Sequence, residues 1–362
     1  MDKRHYIIPI FVPHEGCPHN CVFCNQDSIT GSTQLVNADY VDNTAKEYIK
    51  TMKTENSEIE ISFFGGTFTA INIEKQKELL EVALKYKNLG LINKIRLSTR
   101  PDYITEKILD NLKRYKVDII ELGVQSLDEE VLFLAGRGHS VNDVEEASKL
   151  IKQYGFTLGH QIMPGLPGDS FIKDIYTVNK VIELRPDMCR IYPSLVIKNT
   201  PMELMYINKK YVPYSLDEAV DISKQLYGRL TANEINVIRI GLQPTEDINV
   251  GRELVAGPFH PAFRELVEGS IYNDVLLNSI NNNKKGDYLV EVNYKDISKL
   301  YTCKKKYFND TIKQLSNFNI KVKQSEIVNC GEINISNDDF CKRVSIKQYL
   351  KNKYIEGIFW YL

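Results

Sequence analysis

The sequence predicts an α/β fold: a partial, TIM-like (β/α)6 barrel followed by a small α+β appendage. Six short apolar stretches before residue 200 are separated by amphipathic stretches, which is typical of parallel strands joined by right-handed helical crossovers. Polar or Gly-containing loops follow successive strands, and a barrel surrounds a single site with such loops. A doubly wound sheet also alternates strands and helices, but it concentrates its ligand at one switch point. Six units are too few for a full eight-fold barrel.

The predicted strands begin directly before the cysteine-containing loop and continue to residue 192. They are YIIPIFV (6–12), EIEISFF (58–64), KIRLST (94–99), DIIELGV (118–124), TLGHQIM (157–163) and MCRIY (188–192). Helical spacing predicts crossovers over 39–52, 74–86, 105–115, 141–155 and 170–184. Thr105 is suited to cap the third of these helices, and a glycine ends the fourth.

The pattern loosens after residue 200 and predicts a division of the chain. Residues 1–245 are assigned to the barrel, with a further helix over 215–234 and a strand over 235–242. Residues 246–286 are a connecting segment interrupted by Pro and Gly. Residues 287–362 form the basic α+β appendage, with a strand YLVEV, a helix FNDTIKQLSNF and a strand NIKVKQ.

Charge and cysteine content restrict the classes of protein. The whole chain has a formal net charge of −1 and favours no particular partner, but residues 284–323 hold ten lysines and four acidic residues. Seven cysteines without a signal peptide do not make a disulfide framework, and the first forty residues contain no apolar run that could enter a membrane. A cytoplasmic protein without a membrane partner is expected.

Three cysteines lie close together in GCPHNCVFCNQ (16–26), at positions Cys17, Cys21 and Cys24. Soft thiolates at this spacing indicate a metal or an iron–sulfur cluster. Structural zinc is the alternative, but it usually takes four ligands in two pairs, and the other cysteines are scattered. Three thiolates suit a four-iron cluster whose fourth iron is open to another ligand.

The C-x3-C-x2-C spacing, with Phe23 before the last cysteine, resembles the radical S-adenosylmethionine (SAM) superfamily. Further stretches resemble the radical SAM domain of the Elongator catalytic subunit, in consistent order over about residues 8–245. These are STRPDYI (98–104), ELGVQSLDEEVL (121–132), GRGHS (136–140), IMPGLPG (162–168) and RIYPSLVIKNT (190–200). A more distant resemblance is to oxygen-independent coproporphyrinogen oxidase.

The resemblance implies two cofactors, a [4Fe–4S] cluster on the three cysteines and SAM on its open iron. Gly65, Gly66 and Thr67 would meet the SAM amino group, and Arg137 its carboxylate. The remaining implied positions are Gln125 and Gln161 at the ribose, Ser98 and Arg100 near the methionine moiety or cluster, and Phe23 near the adenine. Several have structural alternatives: a tight turn for the glycines, a strand end for Gln161 and a surface ion pair for Arg100. His139 and His160 are interpreted as structural, so no acid–base residue is assigned.

The same resemblance implies reductive cleavage of SAM to a 5′-deoxyadenosyl radical, with a flavodoxin- or ferredoxin-type electron donor. Lysines alternate with aromatic residues in KLYTCKKKYF (299–308), which predicts that Lys304, Lys305 and Lys306 contact a tRNA or rRNA backbone. A Lys-rich solvated surface is the structural alternative. A radical enzyme acting on a small molecule such as a tetrapyrrole, and a non-enzymatic RNA-associated scaffold, are the competing functions.

Two departures from the Elongator pattern limit what the resemblance implies. Elongator members space their first two cysteines further apart, and they carry an acetyltransferase domain after the barrel. Only about a hundred residues follow the barrel here, without a recognisable acetyl-CoA loop. Acetyl transfer is therefore not implied, and the RNA, the base and the transferred group are left open.

Overall fold

A computed structural model describes residues 4–12, 17, 19, 21–25, 36–53, 55–242, 252–281 and 283–355. The chain divides into two compact units. The first is Met1–Pro213 with Gln243–Gly257, and the second is Tyr214–Leu242 with Pro258–Leu362. Residues 214–242 therefore group with the C-terminal part of the chain, whereas the sequence pattern continues the barrel to residue 245.

Six parallel strands lie side by side in sequence order in the first unit, and the predicted partial barrel is confirmed. They are β1 (Arg4–Val12), β2 (Ser57–Gly65), β3 (Lys94–Thr99), β4 (Ile119–Gln125), β5 (Thr157–Ile162) and β6 (Met188–Ile191). After β6 in the sequence, Val196–Ile197 pairs with Leu254–Ala256 in a separate antiparallel sheet of two short strands. Because the strands are parallel, their carboxyl ends lie at one edge of the sheet.

Within the described residues of the first unit, seven helices accompany these strands. They are α1 (Ala38–Thr51), α2 (Ile73–Asn88), α3 (Glu106–Arg114), α4 (Glu129–Leu134), α5 (Val141–Gln153), α6 (Phe171–Leu184) and α7 (Pro201–Ile207). Each begins after an Asn, Thr, Asp or Ser whose side chain accepts a backbone N–H of the first turn. The sequence pattern did not predict α4 and α7, because six or seven residues are too few to show a helical period.

The two faces of this sheet differ in polarity. In the strand register, Ser62 pairs with Arg96, Ser98 with Glu121, and Gln161 with Arg190, so these polar residues share one face. Residues of the opposite face alternate with them and are fully buried; they include Ile61, Leu97, Ile120, Leu158 and Ile191. Burial of this apolar face stabilises the unit and leaves the other face available for polar groups.

The second unit is α+β, as predicted. It contains α8 (Leu216–Ala232), β7 (Asn236–Ile240), α9 (Phe263–Ile280), β8 (Asp287–Asn293), α10 (Ile297–Leu300), α11 (Thr302–Gln314), β9 (Asn319–Ser325), β10 (Glu332–Asn337), β11 (Phe340–Ser345) and α12 (Ile346–Ile355). Four strands form a mixed sheet in the order β9-β8-β10-β11, with β8 and β9 parallel. The segment expected as a connection, 246–286, contains the largely buried helix α9.

Candidate active site

The three closely spaced cysteines follow β1. Cys21 is buried, Cys17 and Cys24 are partly exposed, and none of the three forms a disulfide. The Cys24 amide donates a hydrogen bond to the Cys21 carbonyl oxygen at 3.0 Å. Three cysteines on one short segment have the donor chemistry of an iron–sulfur site. Within the described ranges, no three His, Cys, Asp or Glu side chains are grouped closely enough to hold a metal ion.

Backbone hydrogen bonds and apolar packing hold the segment between Cys21 and Cys24. The Val22 amide donates to the Ala135 carbonyl oxygen (3.0 Å), and the Val22 carbonyl oxygen accepts from the Met202 amide (2.9 Å). Val22 and Phe23 pack against two buried apolar clusters, one around Val131 and one around Met202. Phe23 therefore anchors the cysteine segment, and its predicted place beside an adenine stays a prediction.

Arg137 joins the cysteine segment to the strand ends. Its side chain is buried; Nη1 lies 3.2 Å from the Cys21 Sγ, and Nη2 donates to the Gly123 carbonyl oxygen at 2.6 Å. Its Nε is also buried and has no hydrogen-bond acceptor within the described residues. A buried guanidinium with an unused donor, directly beside a thiol, can bind an anionic group.

Arg100 holds the backbone of Arg137. Its guanidinium makes a two-pronged ion pair with Asp102 (2.9 and 3.0 Å) and donates to the Arg137 carbonyl oxygen. His19, which lies between the cysteines, has its Nε2 3.9 Å from the same carboxylate. Arg100 does pair with a carboxylate, as the structural alternative expected. It is buried, however, so the expected position of that ion pair at the surface is wrong.

The Gly65-Gly66-Thr67 turn is packed against the end of β1. Gly65 has φ +103°, and a Cβ there would lie 2.5 Å from the Val12 carbonyl oxygen. The Gly66 amide donates to that same oxygen at 2.9 Å, and Thr67 is buried. This contact explains the first glycine without a ligand, so a role of the turn in binding SAM stays a prediction.

Gln125 lies at the carboxyl end of β4, where the pairing with β5 shifts by one residue after Gly123. Its φ is +68°, which is unusual for a residue with a side chain. The Oε1 of Gln125 is buried and accepts no hydrogen bond from the described residues. A strained backbone and an unused buried acceptor near Arg137 are features of binding sites.

Gln161 and Ser98 meet on the polar face of the sheet. The Gln161 amide nitrogen donates to the Ser98 Oγ (3.4 Å) and to the Glu121 Oε2 (2.9 Å). Both hydrogen bonds that it donates therefore go to side chains of β3 and β4. Its carbonyl oxygen therefore points away from Ser98 and Glu121 and can accept from a hydroxyl.

Glu121 and three buried charged residues around it form a network that the sequence interpretation missed. Arg96 bridges Glu60 (3.0 Å) and Glu121 (2.5 Å), and Arg190 donates twice to Glu121 (2.6 and 2.9 Å). Burial opposes ionisation of Glu121, but the two guanidiniums outweigh it and lower its pKa. Burial also disfavours the charged form of Arg190, yet the Glu121 carboxylate raises its pKa. The available signal was a charged residue inside each of four otherwise apolar strands.

Comparison with known families agrees with this arrangement. A sequence profile of the Radical SAM superfamily matches residues 11–176, and a profile of the radical SAM C-terminal domain matches residues 186–273. The chain belongs to the radical SAM superfamily. It is a radical SAM enzyme, and the first profile includes Cys17, Cys21, Cys24 and Arg137.

Curated relatives of this radical SAM chain include tRNA uridine(34) acetyltransferases and Elongator complex protein 3. The tRNA uridine(34) acetyltransferase of Methanocaldococcus infernus is 30% identical over 255 residues, 60% of this chain and 48% of that protein. Elongator complex protein 3 of Saccharomyces cerevisiae is 30% identical over 196 residues, 49% of this chain and 35% of that protein. The chain thus spans about half the length of the acetyltransferases that it matches.

A solved structure shares the fold. The archaeal Methanocaldococcus infernus Elp3 with an N-terminal deletion aligns with a TM-score of 0.60 at 24% identity, over 77% of this chain and 64% of that one. No helix in the described part of the radical SAM chain is both long and apolar enough to cross a membrane.

The two histidines interpreted as structural are buried in the radical SAM unit. Burial, with the charge of Lys152, lowers the pKa of His160 to about 3, and its Nε2 lies 2.9 Å from the Ser148 Oγ on α5. Burial and the neighbouring guanidiniums of Arg137 and Arg100 lower the pKa of His139 to about 2. Both are neutral at physiological pH, in agreement with a structural role.

The lysine cluster predicted to bind RNA is exposed in the second unit. Lys306 makes an ion pair with Asp217, and the Lys305 ammonium lies 4.5 Å from the centre of the Tyr301 ring. Cys303, Lys304 and Lys305 have left-handed backbone angles, so the regular part of α11 begins after them. For Lys304, neither an ion pair nor a neighbouring aromatic ring is described.

Proposed function

We propose that this radical SAM enzyme binds a [4Fe–4S] cluster through Cys17, Cys21 and Cys24 and modifies a nucleoside of an RNA. When bound, the cluster would supply the electron that splits SAM into methionine and a 5′-deoxyadenosyl radical. The relatives named tRNA uridine(34) acetyltransferase support an RNA substrate, and tRNA is the first RNA to test. Cytoplasmic location and an electron-donor protein belong to the same proposal.

The observation that carries the proposal is the position of Arg137. Its guanidinium is buried 3.2 Å from the Cys21 sulfur, and its Nε has no acceptor among the described residues. A fixed positive group beside the cysteines favours a carboxylate there. Arg100 holds the Arg137 backbone, so the guanidinium is positioned before any ligand arrives.

The strand ends around Arg137 would bind the rest of SAM. Gln125 offers a buried amide oxygen with no described donor, and Gln161 offers an oxygen whose orientation Glu121 and Ser98 fix. Two amide acceptors at neighbouring strand ends match the two hydroxyls of a ribose. Gly65, Gly66 and Thr67 would contribute backbone groups at the adjoining end of β2.

Metal analysis of the anaerobically reconstituted full chain tests the cluster. We expect about four irons per chain and charge-transfer absorption, because three thiolates and one exogenous ligand complete such a cluster. Cys17→Ala, Cys21→Ala and Cys24→Ala should each lose the iron. The matched controls are Cys303→Ala, Cys330→Ala and Cys341→Ala, which remove thiols outside the segment and should keep it.

The same preparations test the chemistry. Reduced wild-type protein with SAM should release 5′-deoxyadenosine, and release should rise when tRNA is added, with a changed nucleoside in the tRNA digest. Stoichiometric zinc in place of iron would contradict the cluster. Release that small-molecule substrates stimulate and tRNA does not would contradict the RNA assignment alone.

A further inference from the structure

An exposed surface on α7 combines apolar side chains with lysines, and we infer that it docks an acidic electron-transfer protein. We call it the α7 surface, and it consists of Leu204, Tyr206, Ile207, Val212, Lys198, Lys209 and Lys210. The inference rests on the proposed function, since only a cluster that must be reduced needs an electron carrier. No residue of this surface belongs to the candidate SAM site.

The inner side of α7 packs on the cysteine segment. The Met202 amide donates to the Val22 carbonyl oxygen at 2.9 Å, and the fully buried Met202 side chain lies in one cluster with Val22 and Phe23. The Asn25 side chain also donates to the Lys198 carbonyl oxygen at 2.9 Å. A helix is about 10 Å across with its side chains, so the α7 surface is about one helix diameter from Cys21 and Cys24.

The outer side of α7 is unusually apolar for a surface. Leu204 and Ile207 are each 61% exposed and stand three residues apart, on one face of the helix, and Val212 is 80% exposed. The chain after the helix is held in place, because the Tyr211 hydroxyl donates to the Gly165 carbonyl oxygen at 2.6 Å. A fixed, exposed group of large aliphatic side chains is typical of a protein-docking surface.

The charge around this group is positive. Residues 198–212 contain three lysines and a single acidic residue, Glu203, whose carboxylate accepts from the Asn199 amide. Lys209 and Lys210 are exposed, and the amides of both are bonded to the last turn of α7. This charge complements an acidic partner and would steer its approach.

The side chains favour a protein over an RNA on this surface. Unpaired bases stack on aromatic rings, whereas Leu204, Ile207 and Val212 are aliphatic and more exposed than Tyr206, the aromatic member of the surface. A small acidic carrier with an exposed redox centre, such as a flavodoxin, fits both the aliphatic centre and the lysines. On docking, the reduced carrier would lose one electron and the cluster would gain it, with no atom transferred.

Titration with a flavodoxin tests the surface on the full, reconstituted chain. Two independent variants remove different parts of it: Leu204→Ser with Ile207→Ser, and Lys209→Glu with Lys210→Glu. Each should raise the Kd for flavodoxin about tenfold or more, because central apolar contacts and complementary charges dominate such interfaces. The controls are Ile172→Ser and Lys149→Glu, which alter an exposed aliphatic residue and an exposed lysine elsewhere.

The rate of cluster reduction provides the second measurement. The two variants should be reduced slowly by flavodoxin and at the wild-type rate by dithionite, a small reductant that needs no docking surface. An unchanged flavodoxin Kd in both variants would overturn the inference, as would weakened tRNA binding with unchanged flavodoxin affinity. Failure of dithionite-reduced wild type to cleave SAM would instead overturn the proposed function.

Discussion

At the residue scale, the buried charges on the polar face of the sheet are arranged so that each has an opposite partner. Glu60, Arg96, Glu121 and Arg190 alternate in sign across the polar face of the sheet, and all are nearly inaccessible to solvent. Such a network adds little net stability compared with apolar side chains, but removal of one partner typically costs about 3–5 kcal/mol. Its consequence here is geometric, because Glu121 also fixes the amide of Gln161.

Arg137 allows the sharpest test at this scale. Arg137→Ala should weaken SAM binding by about 1.5–3 kcal/mol, the range for a hydrogen bond to a charged group. Isothermal titration under anaerobic conditions measures this, with Arg114→Ala as the control because Arg114 is exposed at the end of α3. Equal affinities of the variant and wild type would show that another residue binds the carboxylate.

At the element scale, the junction between β1 and β2 depends on one glycine. Gly65 has positive φ, and a Cβ there would lie 2.5 Å from the Val12 carbonyl oxygen. Val12 is the last residue of β1, which precedes the cysteine loop in the sequence. Gly90 also has positive φ, but a Cβ there would meet nothing within 4 Å. Alanine substitutions at Gly65 and Gly90 therefore separate the cost of the backbone conformation from the cost of a steric clash.

Gly65→Ala should therefore cost more than Gly90→Ala. The backbone conformation alone costs roughly 1–2 kcal/mol for a residue with a Cβ, and Gly65→Ala adds a clash with backbone that cannot move aside easily. Urea denaturation of both variants measures the difference in the free energy of unfolding. Similar losses for the two would mean that the β1–β2 junction shifts to accept a methyl group.

The strands of the barrel were predictable because each is an apolar run with a distinct turn after it. The cysteine motif was predictable because its spacing is local in sequence, and Arg137 because the stretch around it resembles the Elongator pattern. Glu121 was not, since its partners Arg96 and Arg190 come from other strands and meet it only through the parallel register. α7 was missed for a different reason: seven residues show no period, and its start is signalled only by Thr200 and Pro201.

At the scale of the whole molecule, the lysine-rich segment 284–323 lies in the second unit. The structure refines which lysines of the 304–306 cluster can contact a phosphate. Lys306 is neutralised by Asp217 on α8, and Lys305 is stacked on Tyr301, whose ring packs edge-on against Phe308. Lys304 and Lys305 keep their full charge exposed, so two contacts are expected rather than three.

Salt-dependent tRNA binding distinguishes these lysines. Lys304→Ala with Lys305→Ala should weaken binding and flatten the plot of log affinity against log salt by about 0.7–0.9 per lost contact. Asp217→Asn should do the opposite, since it frees the Lys306 ammonium for a third phosphate. Lys50→Ala with Lys107→Ala, at exposed positions of the first unit, controls for net charge. If the control pair flattens the plot as much as the cluster pair, phosphate contacts are spread over the chain, and the left-handed residues at the start of α11 have no special part in binding RNA.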